Sequence, residues 1–312
     1  MLKFLAAFLL GLSSIPLYSS EPTAPAQFEN ISEEEKEELQ SLYEMLSDLP
    51  EKEREIAIAF YSLDWKDSGT HKLEQSNSTI SLPEGYRLLI GDEAKKGRKL
   101  TCGDFENPNL EATVYNDDFE NVIIFENLQG GYVSIDDWED LDPESLLKSI
   151  SENTEKANEE RKKNGFNTLH VVGWVQKPLL DKLTNTVYWA IEAESADEGA
   201  IVNSVALRLG REGFEKIVWV TQKESYVPFG GHLEVMLRAH SFDPGYRYSD
   251  YKEGDKMASY GIAALVAATM GGKIIKASGF FVILKKLSGI LIATLAAIFY
   301  KLKNIFKHKN EG

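Results

Sequence analysis

Cysteine is almost missing from this chain: Cys102 is the one thiol in 312 residues. No internal disulfide can form, and an isolated Cys is not a zinc site. A cysteine nucleophile needs a positioned base, and none lies near Cys102 in the sequence, so a small packed thiol is the plainer reading. No Gly-x-Ser-x-Gly elbow frames a serine nucleophile, and no Gly-rich phosphate loop is present. The five histidines, His71, His170, His232, His240 and His308, include no pair spaced four apart for metal binding. Positive charge is also scarce. Lys and Arg number 34 against 49 Asp and Glu, a net charge of -15.

The deficit is uneven. Residues 256–312 hold nine Lys, no Arg and one acid, Glu311, a local balance of +8 that leaves -23 on residues 1–255. An acidic body repels nucleic acid, which excludes DNA and RNA as partners. The basic end is drawn to anionic lipid, by roughly 1 kcal/mol per Lys near the surface. Hydrophobic content of 43% and charged content of 27% are ordinary for a globular fold, and exclude both a wholly disordered chain and a polytopic membrane protein.

Met1–Ser20 reads as a secretory signal, with Lys3 as the basic start and Phe4–Leu12 as an apolar stretch too short to span a bilayer. Cleavage is expected between about Ser19 and Ala26. No Cys follows the apolar stretch, so a lipoprotein anchor is not expected. Export without disulfides suits a bacterial cell envelope, periplasmic if the cell is Gram-negative.

Residues 21–64 read as an N-terminal helical segment. Ser32 and Glu35 form a capping box, and Leu39, Leu42, Tyr43, Leu46 and Leu49 recur at helical spacing until Pro50. Residues 65–255 read as an extracytoplasmic α+β domain. Thr70–Leu73 and Thr79–Leu82 suggest a hairpin, Pro83-Glu84-Gly85 a turn, Asp92–Leu100 a short helix and Val122–Phe125 a buried strand, with Tyr132–Ile135 resuming after Gly130-Gly131. Asp142 and Pro143 open a helix running to about Lys163, which Asn164-Gly165 ends. Thr168–Val175, Thr186–Glu194, Ile201–Leu209 and Glu215–Thr221 then form a four-strand antiparallel meander, and a helix over about Gly231–His240 flanks it. Val187, Trp189, Ile191 and Ala193 mark the buried face of the second of these strands.

Met257–Ile275 is the best candidate for a transmembrane helix, and the lysines after it place that side in the cytoplasm. Phe280–Lys307 carries a Leu/Ile stripe opposite a lysine-rich face, as an amphipathic helix in the interface would. The alternative is a second span over Leu287–Tyr300, giving a membrane hairpin.

The run Asp136-Asp137-Trp138-Glu139-Asp140-Leu141-Asp142 invites calcium, but Trp138 takes a ligand position and the loop's Gly and terminal Glu are missing. A solvated loop leading to the Asp142 cap is the plainer reading. His232 and His240, expected on one helix near Glu234 and Asp243, read as surface or core-edge residues rather than as ligands. The residues name no catalytic set, metal or cofactor.

Several motifs fall in one order: Pro83-Glu84-Gly85-Tyr86-Arg87, Gly131-Tyr132-Val133 with Asp136-Asp137, Ala157-Asn158 with Arg161, Gly173-Trp174, Leu209-Gly210-Arg211-Glu212-Gly213, Pro244-Gly245-Tyr246-Arg247-Tyr248 and Gly254-Asp255-Lys256-Met257-Ala258-Ser259-Tyr260-Gly261. With these the chain resembles the uncharacterised membrane-anchored bacterial proteins catalogued as domain of unknown function 2167, over roughly residues 80–270. It departs from them at Lys177–Asp181, where the family tends to have Pro, Tyr and Asp nearly adjacent. The resemblance implies a membrane-anchored envelope protein and brings no assigned activity. The expectation is therefore a membrane-anchored, extracytoplasmic binding or scaffold protein, with membrane lipid and an envelope protein as partners. The alternative is an envelope hydrolase whose acidic or His residues converge only in the fold.

Overall fold

The computed structural model describes residues 50–270, apart from 103–106, 118, 120, 164–166, 196–198 and 229–230, together with residues 40, 46 and 47. The expected signal peptide, the helix from Ser32 and the Phe280–Lys307 segment lie outside the described residues. The chain divides into two compact units, Met1–Ser62 with Ala297–Gly312, and Leu63–Ala296.

In the first unit the described element is α1, Glu51–Tyr61. Pro50 stands at its N-cap with extended backbone, where its missing N–H costs nothing, and Arg54 N–H donates to the Pro50 carbonyl at 3.0 Å. Ala57, Ile58 and Phe60 are buried, and Ser62 closes the helix by donating its backbone N–H to the Ile58 carbonyl. Pro50 thus begins a helix that the periodicity before it does not announce.

The second unit is mixed α+β, with antiparallel sheets and flanking helices. Its strands are β1 (Gly69–Leu73), β2 (Ser78–Leu82), β3 (Tyr86–Ile90), β4 (Leu110–Asn116), β5 (Val122–Gln129), β6 (Leu169–Asp181), β7 (Thr186–Ser195), β8 (Gly199–Leu209), β9 (Gly213–Gln222) and β10 (His240–Phe242). Its helices are α2 (Asp92–Cys102), α3 (Pro143–Lys163), α4 (His232–Ala239) and α5 (Ile262–Thr269). The large sheet has seven strands in the order β3-β4-β5-β9-β8-β7-β6, and the small sheet has the order β1-β2-β10. The expected meander is therefore half of a larger sheet, joined along β5 and β9 to a second run of consecutive strands.

Alternation decides the two faces. Val187, Trp189 and Ile191 of β7 and Val205, Leu207 and Leu209 of β8 pack under Leu146 and Ile150 of α3 and Ile262, Leu265 and Val266 of α5. On the opposite face Ala206, Ile217, Trp219, Ile123 and Phe125 meet Leu73, Ile80 and Leu82 of the small sheet and Leu233 and Met236 of α4. Trp189 is 3% exposed, as its position in the alternation requires.

Three boundaries differ from expectation. Strand β6 runs on to Asp181 through register shifts at Val172, Val175 and Lys177-Pro178, and Pro178 sits on an edge strand that tolerates its missing donor. Tyr132–Ile135 is not a strand; Tyr132 makes one parallel bridge to Met257. Helix α4 ends at Ala239, and His240 begins β10 instead of sharing the helix with His232, because Ile80 of β2 claims it as a pairing partner.

The stretch Met257–Ile275 is described as far as Met270. Met257 is bridged to Tyr132, the helix begins only at Ile262, and Ile262, Leu265, Val266 and Ala268 are buried in protein. No described helix is long and apolar enough to cross a membrane.

Candidate functional site

The motif residues gather at two places on the second unit. The larger is a clasp around residues 254–262. Gly131 has φ +107° and lies so close to the returning chain that a Cβ there would stand 2.6 Å from the Lys256 carbonyl oxygen. That approach lets Tyr132 N–H donate to Lys256 O, and Ala258 N–H to Tyr132 O, at 2.8 Å each. Ile262 N–H donates to Ser134 O at 2.9 Å. Arg211, in the β8–β9 turn, donates from Nε and Nη2 to Asp255 at 2.7 Å each and from Nη1 to Gly245 O at 3.1 Å. Tyr248 donates its hydroxyl to Val133 O at 2.8 Å, and Tyr132 is sandwiched between Tyr248 and Tyr251, with centroids 4.3 Å away on both sides. Burial, followed by the Tyr132 contact, drives the Tyr248 phenol far above its ordinary range, so it stays a neutral donor.

The second place is the joint between α3 and β6. Asn158 donates to Leu169 O at 2.8 Å and accepts from Leu169 N–H at 3.0 Å, acting as a surrogate strand neighbour. Trp174 Nε1 donates to Pro143 O at 3.2 Å. The motif at Pro83–Arg87 lies apart, where Tyr86 Oη meets His232 Nδ1 at 2.7 Å.

The acidic run serves local structure. Asp142 accepts backbone N–H bonds from Glu144 and Ser145 and so caps α3. Asp137 accepts from Ala263 N–H at the start of α5 and crowds Gly261, and Asp136 accepts from the Ser134 hydroxyl. Among the described residues no group of three or more His, Cys, Asp and Glu is arranged to hold a metal ion. His170 pairs with Glu155 at 2.8 Å on the surface, and His71 Nε2 lies 2.7 Å from Ser68 O. Cys102 closes α2. His308 lies outside the described residues.

One cluster escaped the sequence reading. Between the two sheets, a bulge in β4 places Glu111 where its Oε1 accepts backbone N–H bonds from Gln75 at 2.5 Å and Ser76 at 3.0 Å. Ser76 Oγ lies 2.7 Å from Ser78 Oγ, which lies 2.9 Å from His240 Nε2. Glu215 of β9 is 0% exposed and takes a bond from Asn127 Nδ2 at 3.4 Å. Glu111 Oε2 and Glu215 Oε1 are both buried without a donor. The two carboxyls reach each other, so one proton between them satisfies both oxygens.

Burial raises both acids, but the backbone amides favour the Glu111 anion, whereas the charges of Glu111 and Glu126 push Glu215 well up. These effects favour the proton on Glu215 over Glu111. On the other face of the same strand pair, Lys216 meets Glu126 at 2.8 Å in a buried ion pair. The signal for this cluster was a carboxylate inside each of three strands rich in apolar residues, at Glu111, Glu126 and Glu215.

An α+β unit whose shared motifs fasten the returning chain to a sheet is the class of protein that this geometry defines. The family model described as protein of unknown function DUF2167 matches residues 65–300, and the chain belongs to that family. Among solved structures it is similar to cyanobacterial PsbP (CyanoP) from Synechocystis sp. PCC 6803, with 6% identity and a TM-score of 0.34 over 57% of this chain and 92% of that one. It is also similar to a crystal structure from Bacteroides thetaiotaomicron VPI-5482, with 10% identity and a TM-score of 0.29 over 61% of this chain and 51% of that one. A search of the curated proteins returned no match.

Proposed function

We propose that this chain is a membrane-anchored extracytoplasmic binding or scaffold protein, with residues 65–255 outside the cytoplasm and its basic end on anionic lipid. The observation that carries the reading is where the motifs lie. They grip the backbone at Tyr132–Ser134 and Asp255–Ile262, just before the apolar, lysine-rich end. A protein that must hold a folded unit at a fixed orientation on an anchor needs such a grip. The signal-like Met1–Ser20 and the +8 balance of residues 256–312 support the same topology.

The hydrolase alternative has the Ser78–His240 pair as its best nucleophile and base. Ser78 is 0% exposed at the start of β2, and His240 Nδ1 has no orienting partner among the described residues. Burial, followed by the Arg208 charge, holds the imidazole down to about 3, which makes it a poor base at neutral pH. This arrangement supports a packed polar core better than a reacting centre.

The test is thiol labelling in intact cells on a Cys102→Ser background. Leu183, which is 94% exposed, is replaced by Cys in one variant and Asn310 in another. Leu183→Cys should react with an impermeant reagent once any outer barrier is opened, while Asn310→Cys stays protected. Labelling of Asn310→Cys from outside, or protection of Leu183→Cys, refutes the topology.

A further inference from the structure

The geometry points to a receptor for the guanidinium or ammonium head of an Arg or Lys side chain, carried by a basic partner protein, in the cavity between α4 and strands β7–β9. The inference rests on the binding-protein reading and names its partner's chemistry. The cavity is walled by Tyr188, Trp219 and Tyr226 and rimmed by Val227, Leu233 and Leu237, and Glu234 is the one charged residue among the described residues that line it. Trp219 and Tyr226 stack with centroids 5.8 Å apart and planes 27° from parallel; Trp219 is 1% exposed, so the partly exposed Tyr226 and Tyr188 supply the accessible aromatic surface. Aromatic faces beside a carboxylate are the chemistry that recognises organic cations.

Size and charge narrow the occupant. The cavity measures about 40 Å³. One water needs about 10–15 Å³, so the space admits three or four heavy atoms, the size of a guanidinium or alkylammonium head. Small-molecule sites are far larger, at roughly 300–1,000 Å³. Ser204 lines the floor, 2% exposed, in hydrogen-bond contact with the Tyr226 hydroxyl. Its oxygen keeps lone-pair capacity to accept from a bound N–H donor as well. Glu234 already accepts from Arg238 at 2.9 Å, one turn along the helix. Both side chains are solvent-exposed enough, at 37% and 65%, for an incoming cation to exchange with that arginine. The -23 balance of residues 1–255 favours a basic partner over an acidic one. Val227, 54% exposed at the rim, offers apolar contact to the stem of a long basic side chain.

The test is calorimetric titration of the full chain in detergent with an acetylated hexa-arginine peptide and its neutral hexacitrulline counterpart. Hexa-arginine should bind and hexacitrulline should not. Glu234→Gln and Tyr226→Leu should each weaken binding by about three- to tenfold, with circular dichroism unchanged. Glu159→Gln removes an equal charge from the exposed face of α3 and should leave affinity as it was. Equal losses from Glu159→Gln and Glu234→Gln would mean diffuse attraction and overturn the proposal. Choline binding as tightly as hexa-arginine would make this a small-ammonium pocket and overturn it too. Envelope crosslinking separates the two readings. A partner that still crosslinks to Glu234→Gln protein sinks this site alone, whereas the lack of any crosslinked partner sinks the binding-protein reading beneath it.

Discussion

Arg211 and Asp255, 44 residues apart, are joined by two parallel hydrogen bonds of 2.7 Å each. A planar fork on a carboxylate fixes orientation as well as distance, which a lysine cannot do. The pair therefore locks the β8–β9 turn to the chain that leads into α5.

Asp255 is held down to about 2, first by its bond to Arg211 and then by the Lys252 amide, against an ordinary value of 3.8. A carboxyl lowered on folding stabilises the fold above the unfolded value, and that contribution fades as pH falls through the folded one. Asp255→Asn should therefore lose most at neutral pH and converge on the parent protein toward pH 2. Arg211→Lys should speed exchange of the Tyr132, Ala258 and Ile262 amides, read by hydrogen–deuterium exchange. Unchanged protection at all three would show that the clasp does not depend on the fork.

Glu215 gives the opposite sign. Its carboxyl is raised on folding, so the fold gains from it at low pH and loses stability as pH climbs from the unfolded value of about 4.5. Glu215→Gln keeps the shape, takes the bond from Asn127 and donates to Glu111 without a titrating proton. The variant should be more stable than the parent at pH 8, with the gap closing by pH 4, measured by urea midpoints. A variant less stable at pH 8 would place the proton elsewhere.

Gly131→Ala adds a methyl 2.6 Å from Lys256 O at φ +107°. Backbone strain of this kind costs about 1–3 kcal/mol before the clash is counted. A thermal melt should show the loss, and a neutral outcome would mean that the clasp backbone can move aside.

Trp189→Ala should cost about 3–5 kcal/mol, since the ring is buried under α3 and α5. Tyr188→Ala, on the partly open face beside α4, should cost less. Equal costs at the two positions would contradict the register of β7.

The meander was legible because its strands alternate cleanly, as Val187, Trp189 and Ile191 do against Tyr188. The start of α3 was legible because Asp142 and Pro143 carry their own signals. Strands β3 and β4 were not, because Leu88 and Leu89, like every residue from Leu110 to Asn116, are buried whichever way they point, and a strand covered on both faces has no period to read. The three-residue β10 exists only because β2 offers it an edge. Ile262–Thr269 looks the same to a hydropathy pattern whether lipid or protein surrounds it. The Glu111–Glu215 pair needs two strands far apart in sequence to meet, and no spacing rule foretells that.

The β5–β9 seam has a kinetic consequence. Strands β3 to β5 are laid down in succession, as are β6 to β9, so each half of the large sheet forms through local pairings, while the seam joins residues such as Glu126 and Lys216, 90 positions apart. Closing that long loop costs entropy before any contact is gained, so the halves should assemble first and zip together last. Ile217→Val at the seam should then leave the refolding rate nearly unchanged and accelerate unfolding, whereas Leu207→Ala within the second meander should slow refolding. Stopped-flow refolding of both variants would reveal the order, and slow refolding of Ile217→Val would put the seam first.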